Sequence, residues 1–310
     1  CHENIKDAQY FIPVFLEEII KKNLLCIKQI KTPNNYIPLF NGGVEENLLK
    51  LDEFIEKIKL SKKNTKNILG GIFHTKNKNQ VLYFDIGSPP PKNFSKNYQS
   101  GPSSFEYFLD GTKIITNCGF GKNISSKAEL ISRLTASQST LTINDTSVTR
   151  FERNKLINRT FGNSIKNTFK TFDVEIINNQ NISGCSMTHD GYEKNFNCLH
   201  KRHIYLDLKN NTLKGTDYIF KKKDGLPVRY TFRFFLSPEL TAIKTMGGNS
   251  ALIQITKNKS LLFNIKDENL EIDKGIFLGG KKILDNTCIT ISGNLVNKDK
   301  VFNWEIKKKI

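Results

Sequence analysis

Long apolar runs are missing from this 310-residue sequence. The longest, Tyr10 to Leu16, is far short of the ~20 residues a helical bilayer span needs, so no membrane span is expected. Proline is scarce at 9 and glycine reaches only 20, which excludes collagen-like and low-complexity chains. Cysteine is sparse as well: six, at 1, 26, 118, 185, 198 and 288, with no C-x-x-C pair, too scattered for a disulfide framework. No secretory signal is visible at the start, where Cys1-His2-Glu3-Asn4 is polar and acidic rather than basic and then apolar. Without an initiator Met the chain is read as a piece of a longer one. A lipid-carrying Cys1 is the less favoured alternative, because a helical pattern begins almost at once.

What is present suits a globular chain. Hydrophobic residues make up 38% and charged residues 25%, with 22 Phe and 9 Tyr, enough for a sizeable core. The formal charge is +17, but only 7 of the 47 basic residues are Arg, and the lysines are spread along the chain among many asparagines. Nucleic-acid binders concentrate Arg and Lys on one face, so no nucleic-acid partner is expected. The net field still favours an anionic partner, and an acidic polysaccharide fits it.

The hydrophobic period changes once. Phe11, Phe15, Ile19, Ile20, Leu24 and Ile27 recur every three to four residues, predicting a helix over about 8–30, and Val44, Leu48, Leu51, Ile55 and Ile58 predict another over 44–60. Glu45 and Glu46 would sit at its positive end and Lys57 and Lys59 at its negative end. The Lys/Asn-rich stretch Ser61 to Asn67 is read as a boundary, dividing a helical remnant over 1–65 from a second domain over 66–310. Beyond it the period is two, in short segments such as Val81–Ile86, Ser104–Leu109, His203–Leu208, Tyr230–Leu236 and Val301–Ile306. Asp110-Gly111, Asn144-Asp145 and Asn210-Asn211 mark hairpins. The expected fold is mostly β, an antiparallel β-sandwich preceded by two helices.

Few motifs carry chemistry alone. Asn117-Cys118-Gly119-Phe120-Gly121 lacks the third glycine and the following helix of a dinucleotide fingerprint. Cys185, His189, Cys198, His200 and His203 place five soft ligands close together, but no pair has zinc-knuckle spacing, and on a strand His203 points away from Cys198 and His200. A cluster lining a groove is the preferred reading, with His189-Asp190-Gly191-Tyr192 in a turn and His200 and Arg202 on the adjoining strand; satisfied structural histidines are the competing one. Arg133 and Gln138, in the small polar stretch before Leu141, offer several donors to a carboxylate or hydroxyl.

In order, Phe84-Asp85-Ile86-Gly87-Ser88-Pro89-Pro90-Pro91, Ser104-Phe105-Glu106, Ile115-Thr116-Asn117-Cys118-Gly119, Arg133 to Leu141, His189-Asp190-Gly191-Tyr192 and His200-Lys201-Arg202 resemble the C-terminal domain of heparinase II/III-like proteins. Pro38-Leu39-Phe40-Asn41-Gly42-Gly43 is similar to the tail of their helical domain. The resemblance implies the end of an incomplete α/α toroid followed by an antiparallel β-sandwich, a polysaccharide lyase activity on uronic-acid-containing chains, and a periplasmic or secreted location. Some members hold a metal ion with two His and an Asp. The matching positions here are Gln99, Asn117 and Gln138, poor ligands beside imidazole and carboxylate, so neither metal nor cofactor is expected.

β-Elimination at a uronate removes the C5 proton and expels the C4 oxygen. It needs a donor to neutralise the carboxylate, a base for the proton and an acid for the leaving group. His189, Tyr192 and His200 are the candidate acid–base residues, and Gln99, Asn117, Arg133, Gln138 and Arg202 the candidate substrate-binding ones. The family's catalytic Tyr belongs to the toroid. A non-catalytic carbohydrate-binding or structural sandwich is the alternative.

Overall fold

The computed structural model describes residues 13–57, 66–154, 156, 158, 162–222, 226–296 and 298–309. Two helices, α1 (Val14–Ile30) and α2 (Leu49–Lys57), precede the strands. Residues 8–12 and 58–60 of the predicted helices, and most of the Ser61–Asn67 boundary, lie outside the described residues. The second helix starts at Leu49 rather than at Val44, because tertiary bonds hold the intervening chain out of the helix. Glu45 N–H donates to the Gly279 carbonyl and Leu48 N–H to that of Asn35, Glu45 reaches the Lys113 ammonium at 3.0 Å, and Asn47 Oδ1 caps Leu49 N–H. An ion pair formed off the helix thus displaces the dipole arrangement expected on it.

Among the described residues, seventeen strands follow in two sheets. The larger runs β1 (Ile68–Leu69), β2 (Ile72–Lys76), β3 (Gln80–Asp85), β4 (Phe105–Leu109), β5 (Thr112–Thr116), β11 (Val228–Leu236), β16 (Leu284–Leu295), β15 (Glu271–Phe277), with β6 (Leu141–Ile143) also on β11. The smaller runs β12 (Thr241–Lys244), β13 (Ser250–Thr256), β14 (Lys259–Ile265), β17 (Lys300–Lys308), β10 (Thr212–Lys221), β9 (Cys198–Asp207), β8 (Ile182–Tyr192), β7 (Thr171–Asn178). Every pairing between these strands is antiparallel. The predicted sandwich is therefore the observed fold, and its apolar interior joins both sheets in one core.

Asp110-Gly111 joins β4 to β5 and Asn210-Asn211 joins β9 to β10 as hairpins, whereas Asn144-Asp145 turns the chain after β6 only into the isolated bridge Ile143↔Thr146. Asp110, Asn144, Asp145 and Asn211 are all at positive φ, as tight turns require. The predicted His189–Tyr192 turn is instead the end of β8. The chain reverses through the helical turn Glu193–Phe196, and a register shift lies between His189 and Tyr192. A further helix, α3 (Ser126–Ser132), breaks the β-only expectation; Ser125 caps it by accepting from Ala128 N–H.

One close approach fixes the core. A Cβ at Gly215 would lie 2.1 Å from the Trp304 indole, which cannot retreat because its Nε1–H donates to Asp217 at 2.8 Å. Gly215→Ala is expected to cost about 1–3 kcal/mol, as overpacking does, read from the denaturation midpoint.

Candidate functional site

On β9, alternation sends Cys198, His200 and Arg202 into the sandwich and His203 outward. His200 and Arg202 face Asp217, which β10 presents from the next strand, Arg202↔Asp217 being register partners. Arg202 holds Asp217 with Nε at 2.7 Å and Nη2 at 3.1 Å. Its Nη1 crosses to the other sheet, donating to the Ser103 and Ser139 carbonyls at 2.8 and 3.0 Å. The guanidinium carbon lies within 6.0 Å of the Phe105, Phe232, Phe234 and Trp304 rings. Burial alone would raise the Asp217 carboxyl, but Arg202 and the His200 hydrogen bond hold it down at about 2.

The histidines continue this network. His189 Nε2 is 3.1 Å from His200 Nδ1, and His200 Nε2 is 2.7 Å from Asp217 Oδ1. Gly191 N–H points at His189 Nδ1. That makes Nδ1 the acceptor and places the His189 proton on Nε2, from which it is donated to His200, whose own proton goes to Asp217. Burial lowers both imidazole pKa values, outweighing the pull of Asp217 on His200; for His189 the charges of His200 and Arg202 add to it. Both rings are neutral at pH 7. Tyr192 donates to the Leu141 carbonyl at 2.8 Å.

Ser103, His200 and Asp217 superficially form a hydrolase triad. Ser103 stands at φ 57, 3.1 Å from His200 Nδ1. All three, however, are completely buried. Thr140 gives its proton to the Pro102 carbonyl, which leaves Thr140 Oγ1 to accept that of Ser103. With no access for a substrate and its proton directed elsewhere, Ser103 is not an activated nucleophile.

Two of the three amides share a partner, and the third bonds the backbone beside them. Gln99 and Gln138 both donate to the Ser132 carbonyl, at 2.8 and 2.7 Å, and Asn117 Oδ1 accepts from Ser139 N–H at 2.9 Å. Gln99 also donates to the Gly119 carbonyl and accepts from Gly42 N–H, tying the Pro38–Gly43 segment to the sandwich. These residues do not fit a metal ion: the groups are neutral, and both Gln amides direct their NH₂ at a carbonyl. Among the described residues, no group of three or more His, Cys, Asp or Glu side chains is placed to hold one. Asn117 Nδ2 is buried and finds no acceptor among the described residues.

Arg133 is a second internal frame. Its guanidinium donates to the carbonyls of Tyr98, Asn163 and Ser95 at 2.8, 2.5 and 2.7 Å and lies 4.0 Å from the Phe151 ring centre. Burial lowers its pKa to about 10, so it stays charged at pH 7.

All eight residues predicted from the sequence are thus buried and form three clusters: His189, His200 and Arg202; the three amides; and Arg133. Tyr192 stands beside the first, its ring centre 5.8 Å from that of His189. None lines the cleft of about 430 Å³ on the larger sheet that Arg233, Asp273, Lys274 and Thr290 flank. Sequence reasoning missed Asp217, Ser103 and Trp304. Asp217 left one signal, a lone acid on the apolar side of Leu213, Gly215 and Ile219. No helix among the described residues is long and apolar enough to cross a membrane.

Comparison with known proteins fits this architecture. The family model described as "Heparinase II/III-like, C-terminal" matches residues 69–305. The fold is similar to that of the heparan sulfate lyase HepC from Pedobacter heparinus, with a TM-score of 0.73 at 13% identity over 96% of this chain and 47% of that one. It is likewise similar to a heparinase III, with a TM-score of 0.71 at 14% identity over 96% and 49%. The chain thus spans about half the length of these lyases. No curated protein sequence matches it.

Proposed function

Since this chain belongs to the heparinase II/III-like family, through a C-terminal domain that occupies residues 69–305, we propose that it forms the β-sandwich wall of a polysaccharide lyase cleft, acting by β-elimination on uronic-acid-containing chains. The family match over the whole sandwich is the observation that carries the reading. The other wall, in this proposal, is a helical domain of which residues 1–65 are the end.

The buried residues then act through others. Arg133 and the amides set the backbone of residues 95–100 and 132–139, beside the Pro38–Gly43 segment that leads from the helices. Arg202, Asp217 and the two histidines lock the sheets beneath. Proton abstraction at C5 and protonation of the leaving oxygen belong, on this reading, to groups that face the polysaccharide from the helical wall.

One observation favours a second reading, a non-catalytic carbohydrate-binding module: His189, Tyr192 and His200 are sealed in the interior. The longer polypeptide this proposal calls for separates the two. Incubated with acidic polysaccharides, it should generate the ultraviolet absorbance of unsaturated uronate ends. Binding without that absorbance would favour the module.

A further inference from the structure

One exposed loop is held more firmly than its exposure would suggest. Pro89-Pro90-Pro91 leads into a single 3-10 turn, Lys92–Phe94. Ser95 closes it, donating from Oγ to the Lys92 carbonyl at 2.6 Å and accepting there from Ile165 N–H at 3.0 Å. From below, Arg133 grips the Ser95 and Tyr98 carbonyls, and Ser100 N–H returns a bond to the Arg133 carbonyl. This locked turn presents Phe94 at 80% exposure, flanked by exposed Lys92, Asn93, Lys96 and Asn97.

Exposed apolar side chains occur elsewhere, as at Met246. Phe15 and Phe172 are exposed aromatics too; Phe94 differs in standing between two cations on a turn whose backbone a buried guanidinium clamps. Neither lysine is ion-paired among the described residues, and Arg133 spends its donors on carbonyls, so its charge is not cancelled locally. A rigid aromatic face loses little entropy on binding, and cations beside it select an anionic ligand.

Resting on the lyase-family reading above, we propose that the loop 92–97 is a subsite for an acidic sugar. Phe94 stacks on the apolar face of the pyranose ring, Lys92 and Lys96 pair with its carboxylate or sulfate, and Arg133 is the positioning residue. The turn adjoins Asn97, which touches the Pro38–Gly43 segment, so a chain bound there runs along the seam between the helices and the sandwich.

The test is a titration of this 310-residue chain with a uronate-containing hexasaccharide. Phe94→Ala should weaken binding about tenfold, as loss of an aromatic anchor does, while Phe94→Trp retains it. Lys92→Gln with Lys96→Gln should weaken binding and flatten its salt dependence. Lys281→Gln with Lys282→Gln, an equal charge change elsewhere on the surface, should leave it unchanged. Because these side chains are exposed, melting temperatures should stay at the parental value. Parental affinity in the Phe94 and Lys92/Lys96 variants would overturn the subsite and leave the lyase-family reading standing. No binding by the parent chain would overturn both. A single-stranded oligonucleotide that binds more tightly than the hexasaccharide and is lost in the same variants would also overturn the proposal.

Discussion

Asp217→Ala is expected to lower stability by about 3–5 kcal/mol, the range for removing one partner of a buried ion pair. The loss falls on three side chains at once. Arg202 Nε and Nη2, His200 Nε2 and Trp304 Nε1 all end on this carboxylate, and none can reach water. The order of magnitude matches much of a typical domain's total stability, so the variant should be largely unfolded or insoluble at 37 °C. Glu271→Ala, which breaks an exposed pair with Lys244, should change stability by less than about 1 kcal/mol. Urea unfolding of the two variants checks the contrast. A parental midpoint for Asp217→Ala would show that the network is not what bolts the sheets together.

The second large effect depends on pH. Asp85 is buried, and although Gly87 N–H bonds its Oδ1, burial raises its carboxyl from 3.8 to about 7. A raised carboxyl favours folding in its protonated form, so Asp85 becomes a growing liability as pH climbs from about 4 to about 7 and a constant one above that. Asp85→Asn keeps the acceptor for Gly87 and removes the charge. It should be more stable than the parent at pH 8 by about 4 kcal/mol, with the advantage nearly gone at pH 4. The histidines and Asp217 act in the opposite sense. His189 and His200 have lowered pKa values, so their contribution is complete above about 6.5 and declines as pH falls below it. Asp217, lowered from 3.8 to about 2, loses its contribution between those values. Melting temperatures across pH 3 to 9 for parent and Asp85→Asn measure both trends, and a variant no more stable than the parent at pH 8 would refute the assignment.

The sequence made the strands legible where alternation was clean. β11 and β17 fall within about two residues of expectation, and two hairpins and one tight turn follow from Asn, Asp and Gly pairs. It hid β8 and β10, whose inward faces carry Cys185, His189, Gly215 and Asp217 among the apolar residues, so that neither reads as a run of β-formers. The start of α2 moved because a long-range partner, Lys113, outcompeted a local dipole preference. The site was legible as a set of residue types and not as a place. His200, Arg202 and Arg133 have the chemistry of ligand contacts, yet what separates a binding arginine from an internal clamp is its set of partners. Those partners are Asp217 across a strand pair for Arg202 and three backbone carbonyls for Arg133, and neither set is visible in one-dimensional spacing. Of the three amides the resemblance singled out, Gln99 and Gln138 share the Ser132 carbonyl, while Asn117 bonds the backbone of Ser139, the residue after Gln138, because the order of motifs encodes topology that periodicity does not.

The proposed place of the chain as one wall of a lyase cleft is tested most directly by its own turnover. Assayed beside a heparinase III on the same uronic-acid polysaccharide, this chain should bind the polymer yet form unsaturated uronate ends at less than about one-hundredth of the rate. Groups must hold the sugar from both sides, and misplacement by about an ångström already costs on the order of a hundredfold. Turnover at a comparable rate would contradict the two-walled account and place the catalytic groups within these 310 residues.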